Sequence, residues 1–197
     1  MKAQVNIEGK FDPYVLDCFF EALSAYPALQ KQPLCLRMHP LQDMTMRAQP
    51  VVNLHFFSRR KRAYRIDVQH TTRVNRHIVL EDLDRDVLVG WFAHELGHVR
   101  DYYHRSGLNL IFFGLGYWLL PTFRIGAERK ADLYAIEHGF ATEINATKRF
   151  LLEESDIPNS YKDRLNRYYM SIEEVERVVL ERTDGKHHWR DRVLGGN

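Results

Sequence analysis

Two histidines and a glutamate within five residues, His94-Glu95-Leu96-Gly97-His98, are where residue type and spacing in this chain fit a chemistry. Residues four apart on a helix leave the same face one turn apart, so both imidazoles can reach one metal ion. Zinc takes neutral imidazole nitrogens at about 2.0–2.1 Å, and Glu95 then projects beside the metal as a candidate general base. The flanks predict a helix, with Val87, Leu88, Trp91, Phe92, Leu96 and Val99 as apolar positions and no proline. Gly97 costs a helix about 1 kcal/mol relative to alanine, which points to close approach of another backbone beside the metal. A plainer reading of the five residues is a solvated helix that binds nothing.

A second stretch, Gly126-Ala127-Glu128-Arg129-Lys130-Ala131-Asp132-Leu133-Tyr134-Ala135, places Glu128 thirty residues past His98. Glu128 and Asp132 are again four apart, on a helical pattern that stops at His138-Gly139, a candidate C-cap. A His94, His98, Glu128 set leaves one zinc position open to water, as a catalytic site needs. Asp132 is then placed to accept the free ring N–H of a metal-bound histidine and fix its tautomer. The alternative for Glu128 is an exposed carboxylate beside Arg129 and Lys130. His104 and His138 compete as third ligands, but their spacing sets both off the metal-facing stripes.

His-Glu-Leu-Gly-His followed by Gly-Ala-Glu-Arg-Lys-Ala-Asp-Leu-Tyr-Ala resembles the gluzincin metallopeptidases. The likeness is to the CAAX-prenyl-endopeptidase and heat-shock membrane protease type, and, for a short chain, to the minigluzincins. It covers about residues 75–140. It implies zinc ligands His94, His98 and Glu128, a base at Glu95, a supporting acid at Asp132 and a zincin-like fold. It also implies a sheet edge that pairs with the substrate as an added strand. A later His-Pro-x-x-x-x-Arg element in membrane-bound relatives corresponds here to Ile157-Pro158-Asn159-Ser160-Tyr161-Lys162-Asp163-Arg164, which lacks the histidine. Tyr161 and Arg164 become the candidates for stabilising the oxyanion, with Tyr168 and Tyr169 as the fallback.

The elements that must position these groups read as α+β. A chain of 197 residues is long enough for a real core, and 45% hydrophobic with 27% charged residues describes a globular protein. One domain is expected over 1–182, with a flexible tail over 183–197. Asp12 and Pro13 open a first helix over 13–26 with an apolar stripe at Val15, Leu16, Phe19, Phe20 and Leu23. Alternation predicts strands at Leu34-Leu36-Met38, at Val52-Leu54-Phe56 and at Ile66-Val68, with a short run at His77-Ile78-Val79-Leu80. The run at 76–80 is the expected substrate-pairing edge. Helices follow over 142–154 and 160–169, and Ser171-Ile172-Glu173-Glu174 reads as a capping box that opens a last one.

The remaining features bound the function. A net charge of +2 argues against a nucleic-acid partner. Cys18 and Cys35 read as buried thiols in a reducing compartment. The first residues contain no apolar stretch of the kind a signal peptide carries, so the expectation is a cytoplasmic protein. The basic run Arg59-Arg60-Lys61-Arg62 reads as a solvated turn or an anionic-lipid or nucleic-acid patch. The apolar stretch 108–120 is either a buried connection or an exposed flap that touches substrate, a partner or a membrane surface peripherally. His187-His188 in the tail read as solvated.

The function expected from all this is a zinc-dependent endopeptidase with one zinc per chain and a peptide or protein substrate. Glu95 takes a proton from the attacking water and passes it to the leaving amine. The alternative is a latent or inactive zinc-stabilised module that binds rather than cuts, or a metal-dependent hydrolase of another substrate.

Overall fold

The computed structural model describes residues 5–42, 44–72, 77–153 and 159–183. It starts with strand β1 (Val5–Glu8) and helix α1 (Pro13–Ser24), then β2 (Leu34–Met38), β3 (Met46–Pro50) and β4 (Tyr64–Val68). The rest is helical: α2 (Arg85–His104), α3 (Gly107–Leu119), α4 (Pro121–Glu137), α5 (Ala141–Glu153), α6 (Asn159–Tyr168) and α7 (Ile172–Thr183). The α+β expectation holds at this level: a small mixed sheet followed by helices. Among the described residues no single helix is long and apolar enough to cross a membrane.

Local chemistry sets the helix ends. The Asp12 carboxylate accepts from Tyr14 N at 2.8 Å, and Pro13 occupies the first turn of α1. Ser171 and Glu174 form the expected reciprocal box, with Ser171 N donating to the Glu174 carboxylate at 2.8 Å and Glu174 N to the Ser171 hydroxyl at 3.2 Å. Gly139 ends α4 with φ +97°, a conformation that favours glycine.

The sheet runs in the order β1-β2-β4-β3, parallel except for the antiparallel pair β3–β4. Leu34, Leu36, Met46, Ala48, Tyr64, Ile66 and Val68 turn to one face and join the core. α2 packs against that face at β3, and α1, α4 and α5 pack around α2. Cys18 and Cys35 are free thiols, the first buried and the second half-buried.

Two local expectations are corrected and one strand is added. The strand expected at Val52-Leu54-Phe56 is a run of turns, with Leu54 99% exposed, and the ladder partner of β4 is β3 instead. Asn53 accepts from His55 N at 2.8 Å, folding the backbone into a turn where the alternation suggested extension. The four-residue strand β1 went unassigned, although Val5 and Ile7 alternate with Asn6 and Glu8. The run at 77–80 makes only an isolated bridge, Thr71 to Val79, before a 3₁₀ turn at Leu80–Asp82, and the strand bordering α2 is β3.

Arg62 is not part of a solvated turn. It is fully buried and donates to the carbonyls of Phe56 (2.7 Å), Tyr102 (3.1 Å) and Arg105 (3.0 Å), tying the loop before β4 to the end of α2. The stretch 108–120 is mostly the helix α3, capped by Ser106, and it is half of each alternative. Leu110 and Phe113 are buried, whereas Phe112 and Trp118 are 70% and 76% exposed. The expected tail falls outside the described residues from 184 onward.

The outer face of the sheet is held by one buried carboxylate. Asp67 on β4 accepts from Arg37 Nε (2.8 Å), Arg47 Nη2 (3.0 Å) and Gln49 Nε2 (3.2 Å), and Arg65 Nε lies at 3.0 Å. Burial alone would raise its pKa, but these partners, Arg37 first, hold it below the ordinary carboxylate value. A depressed folded-state pKa adds stability above the unfolded value of about 3.9, and that stability is lost as pH falls through the folded one. Asp67→Asn should therefore destabilise by roughly 2 kcal/mol at neutral pH, measured by urea unfolding. The gap to the parent should close as the pH drops below about 4.

Candidate metal centre

Two helices carry the candidate ligands, and their closeness depends on one glycine. A Cβ on Gly97 of α2 would run into the Ala131 carbonyl of α4, so only glycine lets the two backbones approach this far. His98 follows Gly97 in α2, and Glu128 precedes Ala131 by one helical turn in α4. Gly90, two turns earlier in α2, gives α5 the same access through Glu143 and Thr147.

At that crossing His94 Nε2 and His98 Nε2 lie 3.2 and 3.3 Å from the same Glu128 oxygen. All three residues are buried, and their donor atoms fall within 4.8 Å of one another. Donors held about 2.0–2.1 Å from one tetrahedral ion stand about 3.3–3.4 Å apart, so two nitrogens and an oxygen at these separations fit a single metal. Of the competing ligands, His104 belongs to the exposed end of α2 and His138 stacks on Tyr26 with Nδ1 at 2.6 Å from the Tyr134 carbonyl. Neither belongs to this cluster.

Behind the ligands lies a supporting layer. His94 Nδ1 meets Asp132 Oδ1 at 2.9 Å, as the four-residue spacing from Glu128 implied. Asp132 Oδ2 in turn accepts from Lys148 Nζ at 2.7 Å and from Met170 N at 3.1 Å. Burial opposes the Asp132 charge, but Lys148 and His94 outweigh it and hold the carboxyl down to about 2. Burial also opposes charge on His94, yet its bonds to Asp132 and Glu128 push the imidazole up to about 10. A metal ion at His94 Nε2 therefore competes with a proton.

Glu95 points the other way, toward the sheet. Its Oε2 accepts from Ala48 N, on the edge strand β3, at 2.6 Å. Burial pushes this carboxyl above its ordinary value, with the two histidines pulling against it. The cleft beside it extends in two directions. One cavity of about 250 Å³ includes Met46, Trp91, Glu95, Leu152 and Leu165 in its walls, and another of about 380 Å³ runs past His98, Phe113, Tyr117 and Glu128.

Two polar partners were not anticipated. Tyr117 of α3 donates to Glu128 Oε1 at 2.5 Å, and Lys148 of α5 neutralises Asp132. A signal for Lys148 was present: it sits at helical spacing from Ile144 and Leu151, a charge within a buried apolar stripe. Tyr117 offered only the hydroxyl of one tyrosine in the most apolar stretch of the chain. Of the four oxyanion candidates, Tyr161 and Arg164 fall within α6, and their side chains lie outside the described residues. Tyr168 and Tyr169 both line the second cavity, and the Tyr169 ring stands 5.5 Å from that of His94.

Gly97→Ala should separate α2 from α4. The expected outcome is a stability loss of about 1–3 kcal/mol, typical of overpacking, together with weaker metal retention, read by thermal unfolding and elemental analysis. Asp132→Asn should weaken metal binding by roughly 10–100-fold without removing a ligand.

Comparison with known proteins adds no relative to this geometry: no family model matches the chain, and no curated protein or solved structure matches it.

Proposed function

We propose that this chain is a zinc-dependent endopeptidase of the gluzincin type, with a zincin-like catalytic fold. The observation that carries the proposal is the convergence of His94, His98 and Glu128 on one point, with a separate buried carboxylate, Glu95, beside them. A structural metal site has no use for that additional acid, whereas hydrolysis needs a base next to the metal.

The donor set of two imidazoles and one carboxylate suits zinc, which when bound supplies a Lewis acid and a water acidified toward neutral pH. Glu95, raised by burial, accepts a proton from the attacking water and delivers it to the leaving amine. Asp132, with Lys148 behind it, holds His94 with Nε2 turned to the ligand side. Tyr117 holds Glu128 by its second oxygen, which leaves Oε2 to face both histidines. For the oxyanion, Tyr169, whose ring stands 5.5 Å from that of His94, is the candidate.

The substrate is an extended peptide laid along β3. In the β3–β4 pair, Met46, Ala48 and Pro50 direct their edge groups away from β4, because Thr45 and Val51 bond to Gln69 and Ala63 across the ladder. The edge groups of Ala48 face Glu95 and the Tyr102 hydroxyl. A peptide pairing here has its backbone set beside the base, and strand addition holds it with little dependence on sequence.

The experiment separates ligands from base. His94→Ala, His98→Ala and Glu128→Ala should each lose bound zinc and melt at lower temperature. Glu95→Gln should keep about one zinc per chain while hydrolysis of an unfolded protein falls 10²–10⁴-fold. Tyr169→Phe should also keep its zinc and lose roughly 10²-fold in turnover if its hydroxyl stabilises the oxyanion. Glu95→Gln cutting as fast as the parent would exclude this enzyme. Full zinc in a parent that cuts nothing would favour the binding module.

A further inference from the structure

The outer face of α3 is apolar and faces water. Leu108, Ile111, Phe112, Leu115, Trp118 and Leu119 recur at helical spacing and are all exposed. The stripe turns the corner into Leu120 and Phe123, which are exposed as well. At the other end Phe57, also exposed, lies against Gly107, where α3 begins. The opposite face sends Leu110 and Phe113 into the core, so α3 is apolar on both sides. A contiguous exposed patch of this kind marks an interaction surface rather than scattered surface hydrophobes.

The two chain segments that border it carry charge of one sign. Residues 44–66 and 102–127 contain no Asp or Glu, although the chain holds 26 of them. These two segments meet in space: Arg62 bonds the carbonyls of Tyr102 and Arg105, and Arg59 donates to the His104 carbonyl at 2.9 Å. Arg59, Arg60 and Lys61 are therefore exposed beside the start of the apolar stripe.

We propose that the outer face of α3 and the adjoining basic loop form a docking surface for an anionic lipid bilayer. Both halves of the surface are used there, the apolar stripe among acyl chains and the basic residues among acidic headgroups. Trp118 suits the boundary between them. A nucleic acid would engage the cations and leave the aliphatic stripe in water. The helix does not span: 13 residues reach about 20 Å against a hydrocarbon core of about 30 Å. The chain also bends by 115° into α4 directly after it. α3 thus lies in the plane of the surface, with its inner face still walling the cleft through Phe113 and Tyr117.

Vesicle flotation tests this with the full chain and needs no enzymatic activity. The parent should bind vesicles of phosphatidylcholine mixed with phosphatidylserine at least about tenfold better than phosphatidylcholine alone. Phe112→Ser with Trp118→Ser should lower that binding about tenfold or more at an unchanged melting temperature, because both side chains are exposed. Arg60→Glu with Lys61→Glu is the independent variant, and it should remove the preference for phosphatidylserine. Glu95→Gln should float like the parent, so failure of the peptidase reading leaves this result intact. No flotation with acidic vesicles overturns the proposal. So does flotation that neither double variant alters, or a parent dimer that Phe112→Ser with Trp118→Ser turns monomeric. Binding to single-stranded DNA that needs only the basic residues, with no vesicle binding, would likewise assign the surface elsewhere.

Discussion

Burying ionised side chains costs several kcal/mol for each charge unless every one finds a partner. His94, Glu95, His98, Glu128 and Asp132 are all buried at one crossing of helices, and the chain is arranged to meet that constraint. A continuous line of contacts runs from Lys148 through Asp132, His94 and Glu128 to Tyr117. Its members come from α5, α4, α2 and α3, so those four helices are held in mutual position by one polar chain. Met170 N brings the segment before α7 to the same Asp132 oxygen as Lys148, and Ala48 N brings β3 to Glu95. Such a network is worth keeping only when fully satisfied, because one missing partner strands a charge in a low dielectric.

The part of this centre that could be read from the chain is the part that helix geometry alone determines. His94 and His98, and Glu128 and Asp132, are pairs at i and i+4, and that spacing becomes a shared face without any knowledge of packing. Gly97 between the two histidines was legible for a related reason: a residue unfavourable to helices, kept in the middle of one, implies a neighbour too close for a side chain. Lys148 and Tyr117 obey no such rule. Their reach to Asp132 and Glu128 depends on how α5 and α3 pack on α2 and α4, which is a tertiary outcome.

The sheet shows the opposite case, where a periodic pattern was present and misled. Val52, Leu54 and Phe56 alternate with polar residues as a half-buried strand does, yet only Phe56 is buried. Period-two alternation over five residues states a preference, while the strand that forms is the one whose apolar side meets a partner. Met46 and Ala48 meet α2 and the core, and Pro50 ends the strand where the missing N–H costs no ladder bond. Arg62 is a further instance. Three backbone carbonyls, from a loop and the end of α2, make a buried guanidinium tenable, and a run of four basic residues gives no hint of it.

α3 has two faces that constrain each other. Its inner face closes the cleft with Phe113 and Tyr117, and the Tyr117 hydroxyl is bonded to a candidate metal ligand. Its outer face carries the aliphatic and aromatic stripe, beside the exposed Arg59, Arg60 and Lys61. A partner on the outer face would bear on a helix whose other side touches Glu128. The polar chain from Lys148 to Tyr117 thus ends on a helix whose outer face is apolar toward water. A ligand on that helix can act on the candidate metal centre only by holding Tyr117 differently in its bound and free states, for an equal hold in both would shift nothing.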